Sequence, residues 1–208
     1  IKRDGAMWVK ASGTWLAEAG RREIMVPVRS AALAEAVRAG AAAEAADFVP
    51  EGLAAPGLRP SIETVVHAAL PQAVVLHTHC VATIAVAIRA DGLAVARDRL
   101  GDLDPICVPY VMPGLLLCRA LMAEAAPGRR VAVLGNHGLV AAGATVAEAE
   151  ATLREATRRL SGPAPVEAEG DAAILETARY RAADAPALHA VARDPARRAL
   201  AAAGPFYP

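Results

Sequence analysis

Two histidines, His77 and His79, lie two residues apart directly after the apolar run Val74–Leu76. On a β-strand, residues i and i+2 project from the same face, so both imidazoles can reach one point. Zinc binds imidazole nitrogen at about 2.0–2.1 Å and takes up to three histidines in catalytic sites. A lone pair of this kind is also typical of polar residues that close a strand. The spacing alone leaves both interpretations open.

Three further features favour a metal site. The apolar run before the pair predicts a buried strand that emerges at an edge of the sheet, where α/β proteins commonly place their sites. His137 lies in the turn Gly135–Gly138, whose glycines allow the backbone to approach a ligand closely. Glu63 lies near the start of a predicted helix shortly before the pair. Three histidines with one open position are typical of a catalytic zinc site.

The segments that must position these residues predict a sheet of short apolar strands covered by helices. Apolar patterns and turn signals place the elements. Strands are expected over residues 6–10, 23–28, 74–79, 106–110, 131–134 and 139–142. Helices are expected over residues 31–46 with Ser30 as N-cap, 62–70, 80–89, 114–125 and from the cap Thr145 to Leu160. Residues 91–113 are otherwise expected to form a loop. This order predicts an α/β fold.

The composition excludes several classes of protein. The 22 basic and 22 acidic residues cancel, which gives no support for nucleic-acid binding. No apolar run reaches the roughly 20 residues of a membrane helix, so no membrane partner is expected. With 55% hydrophobic residues, the chain does not match a disordered polar segment. The 53 alanines, about a quarter of the 208 residues, favour helices.

The length suits one domain over residues 1–161 with a helical C-terminal extension over 162–208, in pieces near 171–182, 186–193 and 195–203. The ending Gly204–Pro208 predicts that the natural chain continues. The three cysteines, Cys80, Cys107 and Cys118, lack metal-type spacing, so we expect free thiols and a cytoplasmic location.

The ordered set of motifs resembles the class II aldolase/adducin family, whose studied enzymes are fuculose- and rhamnulose-phosphate aldolases. The resemblance covers about residues 7–161 and is closest to the aldolase portion of bifunctional rhamnulose-phosphate aldolase/alcohol dehydrogenase proteins. The segments that carry it are Arg59–Glu63, His67, Val74–His79 and Asn136–Val140, followed by Gly143 and a capped helix.

The resemblance implies a three-layer α/β/α fold with a central, mainly antiparallel sheet, assembled as a homotetramer. It implies that His77, His79 and His137 bind one zinc ion and that Glu63 is the catalytic acid/base. Zinc would stabilise negative charge on the substrate while a carbon–carbon bond breaks, and Glu63 would move a proton at the reacting carbon. Imidazole ligands favour zinc over magnesium and leave cobalt and manganese open.

Ser12, Gly13 and Ser61 match positions that hold the substrate phosphate in the sugar-phosphate aldolases. Ser61 lies just before the helix expected from residue 62, where a hydroxyl and unpaired backbone N–H groups form an anion site. The predicted turn at Ser12-Gly13 offers similar groups. Lys10 and Arg59 lie close to these turns, and we expect solvated surface positions for both, with added positive charge as the alternative.

Two further residues, His67 and Tyr110, are left without an assigned role. His67 lies one helical turn after Glu63 on the same face, where it either orients a neighbour or packs. Tyr110 does not align with the tyrosine that the family's enzymes use. No GxGxxG segment is present, so the sequence predicts no dinucleotide site by that motif.

The activity that the resemblance implies is reversible retro-aldol cleavage of a ketose 1-phosphate, similar to rhamnulose or fuculose 1-phosphate. The products would be dihydroxyacetone phosphate and a small aldehyde. A metal-dependent phosphosugar epimerase, dehydratase or decarboxylase on the same fold stays open, as does a non-catalytic scaffold of the adducin kind. The intact histidine set and Glu63 favour an enzyme over a scaffold.

Overall fold

The computed structural model describes residues 1–41, 43–162 and 194–195. Within it, Ile1–Ser161 form one compact unit of strands and helices. The strands are Lys2–Arg3 (β1), Ala6–Lys10 (β2), Met25–Val28 (β3), Val74–Thr78 (β4), Ile106–Val108 (β5), Val131–Leu134 (β6) and Gly138–Gly143 (β7). The α-helices are Ser30–Arg38 (α1), Thr64–Ala69 (α2), Val81–Ala87 (α3), Gly92–Leu100 (α4), Leu115–Glu124 (α5) and Val146–Leu160 (α6). Short 3-10 helices cover Leu16–Glu18, Ala45–Phe48 and Gly101–Leu103.

The central sheet has the strand order β4-β7-β6-β5. The β4–β7 and β6–β7 pairs are antiparallel, and β5 runs parallel to β6. The sheet is therefore mainly antiparallel, as predicted. Its register places His77 opposite Val140 and Leu134 opposite Gly138, so the turn between β6 and β7 lies at the edge where β4 ends.

Helices cover both faces of this sheet, which confirms the three-layer α/β/α fold. Because side chains alternate along a strand, β6 and β7 supply both cores. Leu134 and Val140 pack with residues of α1, α2 and α5 on one face. Val133 and Leu139 pack with residues of α3, α4 and α6 on the other. His77 follows Val75 by two residues, so it shares the face that α2 covers.

The second sheet, β1-β2-β3, is antiparallel throughout. β2 leads into Ala11, which forms an isolated antiparallel bridge with Pro60. The next residue, Ser12, donates its N–H to the carbonyl of Arg59 at 2.9 Å. These contacts join the turn after β2 to the segment that precedes Glu63.

Three helix boundaries correct the sequence prediction. Ser30 is the first residue of α1 rather than its N-cap, which is Arg29. The helix ends at Arg38 and not at residue 46, because Gly40 adopts a left-handed conformation (φ 82°) that a glycine tolerates and a continuing helix does not. Helix α2 begins at Thr64, two residues later than expected.

Helix α4 was missed by the sequence analysis, which expected a loop over 91–113. Gly92, Ala96 and Leu100 recur at intervals of four, and Ala96 and Leu100 are fully buried. The charged residues between them hide this narrow apolar stripe, and the initial Asp91-Gly92 is typical of a turn. The expected C-terminal helices lie outside the described residues, apart from positions 194 and 195.

Two other sequence expectations concern the thiols and the membrane. All three cysteines fall in the described part of the chain, and each has a free thiol. Among the helices described, none combines the length and apolar character needed to cross a bilayer.

The cap of α6 generates a stability prediction. Thr145 Oγ1 accepts the N–H of Glu148 at 3.2 Å, as the sequence predicts. We expect Thr145→Ala to lower the free energy of unfolding by about 1 kcal/mol, because one terminal N–H loses its acceptor. Urea denaturation measures this change. Thr152→Ala, the same substitution inside α6, should be neutral or slightly stabilising because alanine is the better helix former; equal losses in both variants would contradict the capping role.

Candidate metal centre

Four side chains meet where β4 and the β6–β7 turn come together. Glu63, His77, His79 and His137 each offer one ligand atom, and these atoms all lie within 4.8 Å of one another. Glu63 immediately precedes α2, His77 lies in β4, His79 follows β4, and His137 lies in the turn. The structure thus brings together the four residues that the sequence motifs indicate.

The β6–β7 turn is built to present His137. Asn136 adopts a left-handed conformation (φ 48°), which asparagine tolerates better than most residues. His137 donates its N–H to the carbonyl of Leu134 at 3.1 Å, which closes the turn. The imidazole is therefore held on a short, hydrogen-bonded connection rather than on a long loop.

The orientation of His77 is fixed by the neighbouring strand. Its Nδ1 donates to the carbonyl of Leu139 at 3.1 Å, which leaves the Nε2 lone pair facing the cluster. This Nε2 is buried and makes no hydrogen bond, although Glu63 Oε2 lies 3.2 Å away. Metal-ligating histidines typically donate their second ring N–H to a carbonyl or carboxylate. The unpartnered Nε2 therefore fits a metal ligand.

Glu63 lies among the imidazoles. Its Oε1 is 2.8 Å from His137 Nε2 and 3.4 Å from His79 Nε2. Burial acts to raise the pKa of Glu63, but the hydrogen bond with His137 and the proximity of the His77 and His137 rings outweigh it and hold that pKa well below its usual range. The carboxylate is therefore ionised at neutral pH.

The cluster opens to solvent on one side. The His77 and His137 side chains are 3% and 8% exposed, whereas His79 is 61% exposed. Three nitrogen donors and one carboxylate form a donor set that suits zinc and similar divalent metals. These four side chains could hold such an ion, with its accessible side next to His79.

His67 lies behind the cluster and is not one of its four members. Its ring contacts the His77 ring edge-on, with the centroids 6.4 Å apart. Burial, followed by the proximity of His77, lowers the pKa of His67 to about 4. His67 is therefore a neutral ring at neutral pH that packs against a cluster residue, as one of the two sequence interpretations expects.

The three residues expected to bind phosphate lie in two adjacent segments. Ser12 and Gly13 form an exposed turn in which Gly13 is left-handed (φ 73°), and Ser12 is bonded to Arg59. Ser61 precedes α2 by a turn rather than directly, and its carbonyl accepts the N–H of Thr64 at 3.1 Å. The hydrogen bond between Ser12 and Arg59 holds the Ser12-Gly13 turn beside the segment that leads into Glu63.

Comparison with known proteins agrees with this geometry. The family described as "Class II Aldolase and Adducin N-terminal domain" matches residues 1–160. The chain belongs to the class II aldolase/adducin family. A class II aldolase domain from Thermoplasma acidophilum is 26% identical with a TM-score of 0.62, covering 74% of this chain and 73% of that one. An aldolase II superfamily protein from Pseudomonas syringae, 20% identical with a TM-score of 0.51 over 97% and 77% of the two chains, shares the fold.

A curated relative of this class II aldolase domain is far longer. "Uncharacterized oxidoreductase YuxG" of Bacillus subtilis (strain 168) is 39% identical over 89 residues, which are 42% of this chain. The chain covers 13% of the length of that protein.

The sequence indicates the cluster and the glycines beside His137, but not two contacts that support the His77 ring. The carbonyl of Leu139 fixes the tautomer of His77. A Cβ on Gly138 would lie 2.5 Å from the Thr78 carbonyl oxygen and 3.2 Å from His77 Cε1, so only glycine fits there. The glycine beside His137 was a visible signal, but its contact with His77 depends on the β4–β7 register.

This contact generates a prediction for Gly138→Ala. The added methyl must displace the Thr78 backbone or the His77 ring, so we expect zinc affinity to fall about tenfold or more, as when a supporting contact of a ligand is lost. Competition with a chromophoric chelator measures the affinity. Gly128→Ala is the matched control, because a Cβ there meets nothing within 4 Å. Equal affinity in both variants would show that the Gly138 contact does not position His77.

Proposed function

We propose that this domain is a zinc-dependent class II aldolase. It would reversibly cleave a ketose 1-phosphate, similar to rhamnulose or fuculose 1-phosphate, into dihydroxyacetone phosphate and a small aldehyde. The observation that carries the proposal is an ionised Glu63 set among three imidazoles, one of which presents a buried, unpartnered nitrogen. A scaffold would not require such an arrangement.

His77, His79 and His137 would hold the metal, which we propose to be zinc with one ion per subunit. Bound zinc acts as a Lewis acid that polarises a carbonyl and stabilises negative charge on oxygen. The exposed His79 faces the side from which a sugar could enter. The two buried histidines, by contrast, are fixed by the sheet and the turn.

Glu63 is proposed as the catalytic acid/base. In the synthetic direction its carboxylate takes a proton from the hydroxymethyl carbon of dihydroxyacetone phosphate. In the cleavage direction the hydroxyl next to the breaking carbon–carbon bond loses its proton and becomes the aldehyde carbonyl, while the electron pair of the broken bond stays on the hydroxymethyl carbon. The proton that the hydroxyl releases reaches Glu63 through solvent, and Glu63 delivers it to that carbon. A carboxylate that is only 23% exposed is shielded from bulk water, which favours transfer to the substrate.

Ser12, Gly13 and Ser61 are proposed to bind the substrate phosphate. Two hydroxyls and the backbone N–H groups of the Ser12-Gly13 turn supply donors for an anion. The Ala11–Pro60 bridge supports this assignment because it holds the two segments side by side. Ser61 and Glu63 are separated by one residue, so one small substrate could place its phosphate at Ser61 and its reacting carbon at Glu63.

We also propose the domain bounds, the assembly and the cellular location. Residues 1–161 would form the aldolase domain and 162–208 a helical extension, within a homotetramer that acts on a sugar phosphate. The three free thiols support a reducing, cytoplasmic location. The family resemblance supports the tetramer.

A metal assay combined with aldol synthesis tests the reaction. Metal-replete protein should convert dihydroxyacetone phosphate and at least one member of an aldehyde panel into a ketose phosphate. Absence of product with every aldehyde would overturn the aldolase assignment. Conversion of a phosphosugar into its epimer, loss of water from it or release of carbon dioxide would instead identify an epimerase, a dehydratase or a decarboxylase, respectively. Protein that is purified without metal and has no affinity for zinc would indicate a scaffold.

Two substitutions separate metal binding from proton transfer. Glu63→Gln should retain zinc but lower kcat by about 10²- to 10⁴-fold, the usual contribution of a positioned acid/base. His137→Ala should lose zinc together with activity, because one of three imidazoles is removed. Metal analysis and steady-state kinetics provide the two measurements. Glu51→Gln, at an exposed site, is the control and should keep its turnover; near-normal kcat in Glu63→Gln would place the proton transfer on another residue.

A further inference from the structure

His67 connects the two elements that carry Glu63 and His77. Its backbone N–H donates to the Glu63 carbonyl at 3.3 Å, which helps to close the first turn of α2. Its ring contacts the His77 ring edge-on, with the centroids 6.4 Å and the planes 78° apart. Glu63 Oε2 in turn lies 3.2 Å from His77 Nε2. His67 is therefore in contact with two members of the cluster, although it supplies no ligand atom itself.

The orientation of the His77 ring needs more than one contact. The Leu139 carbonyl accepts from Nδ1 at 3.1 Å, but a hydrogen bond tolerates a range of angles, so this bond sets the tilt of the ring only loosely. Metal ligands must be held within about 0.5 Å and about 10–20° of the productive geometry. Aromatic rings with centroids about 4.5–7 Å apart favour the edge-on arrangement, so packing against His67 restrains the tilt of His77.

The His67 ring also separates α2 from β4 beside the cluster. His67 follows Glu63 by four residues, so both side chains project from the same face of the helix. Removal of the ring would leave a cavity next to His77 or let α2 move toward β4, because a core collapses only partly around lost volume. Either change would displace the Glu63 carboxylate relative to His77 Nε2. The ring is neutral at neutral pH, so it adds no positive charge that would repel a bound metal.

We propose that His67 is a positioning residue, whose ring in edge-on contact with His77 sets the orientation of that imidazole and its distance from Glu63. The effect on metal binding rests on the candidate metal centre, and the effect on turnover rests on the aldolase function proposed above. His67 binds neither the metal nor the substrate, so it acts only through His77 and Glu63. The ring itself, rather than its hydrogen-bonding nitrogens, carries this role.

The zinc affinity of three variants shows which part of His67 matters. His67→Ala removes both the ring and its N–H donor, His67→Gln keeps a donor for the Val75 carbonyl that His67 contacts, and His67→Phe keeps a ring alone. Competition with a chromophoric chelator should show zinc binding about tenfold or more weaker in His67→Ala and His67→Gln, the usual cost when a contact that supports a ligand is lost. His67→Phe should stay within about threefold of wild type. Wild-type affinity in His67→Ala, or an equal loss in His67→Phe, would overturn the proposal.

A core variant far from the cluster separates positioning from a general loss of stability. Leu100→Ala creates a cavity in the core on the other face of the central sheet, so it should lower Tm while zinc affinity, measured well below Tm, stays within about threefold of wild type. The d–d absorption bands of bound cobalt report the geometry of the ligands. These bands should shift in His67→Ala and coincide with those of wild type in Leu100→Ala. Unshifted bands in His67→Ala, or an equal loss of affinity in Leu100→Ala, would contradict a positioning role.

Kinetics at saturating zinc test the effect on Glu63. His67→Ala should lower kcat about tenfold or more and leave KM within about threefold of wild type, because the carboxylate is displaced from the reacting carbon while the substrate contacts elsewhere are kept. His67→Phe should recover most of kcat. A higher KM with unchanged kcat in His67→Ala would overturn the positioning of Glu63. If the wild type cleaves no ketose phosphate, only the aldolase proposal fails, since the zinc and cobalt measurements decide the role of His67 without turnover.

Discussion

The hydrogen bond from His77 Nδ1 to the Leu139 carbonyl, 3.1 Å long, connects the sheet to the candidate metal centre. It exists because β4 and β7 pair in a register that sets His77 opposite Val140. It also leaves Nε2 as the only nitrogen of this ring that can bind a metal, since a ring nitrogen that donates its proton cannot be a ligand. A shift of one residue in the strand pairing would turn the ring to the opposite face. The chemistry of the cluster therefore depends on backbone register, which side chains far from the site maintain.

Glu63 and a metal ion compete for the same imidazole nitrogens. His137 Nε2 lies 2.8 Å from Glu63 Oε1, and as a hydrogen-bond donor it must carry a proton. The same nitrogen can bind a metal only through its lone pair, so metal binding must displace this proton or move it to Nδ1. The buried His137 Nδ1 has no hydrogen-bond partner among the described residues, which leaves the position open for that proton. A divalent cation bound to these nitrogens would also favour the ionised carboxylate, so the pKa of Glu63 would stay below its usual range.

The sequence allowed the cluster and most of the fold to be predicted because both leave local signals. The two-residue spacing of His77 and His79 and the apolar strands are visible in short windows. The predicted end of α1 was wrong because a single left-handed glycine is a weak signal. Helix α4 was missed because its buried stripe consists mainly of small residues. The solvated surface position expected for Lys10 was wrong for a different reason. Its side chain is half-buried and donates to the carbonyls of Ala11 and Thr14, which only the folded turn directs toward it. Contacts between segments far apart in sequence, such as Leu139 with His77, leave no local pattern.

Part of the abundant alanine packs helix α6 closely against β7, the strand next to the site. Small residues fill the contact between α6 and β7, where Ala141, Ala149 and Ala156 are fully buried. A Cβ on Gly143 would lie 2.6 Å from the Ala149 backbone nitrogen, so the helix approaches the strand as closely as the backbones allow. Close packing leaves little space for β7 to move, and densely packed interiors deform little. Because β7 carries the Leu139 carbonyl, this packing helps to fix the acceptor that orients the His77 ring.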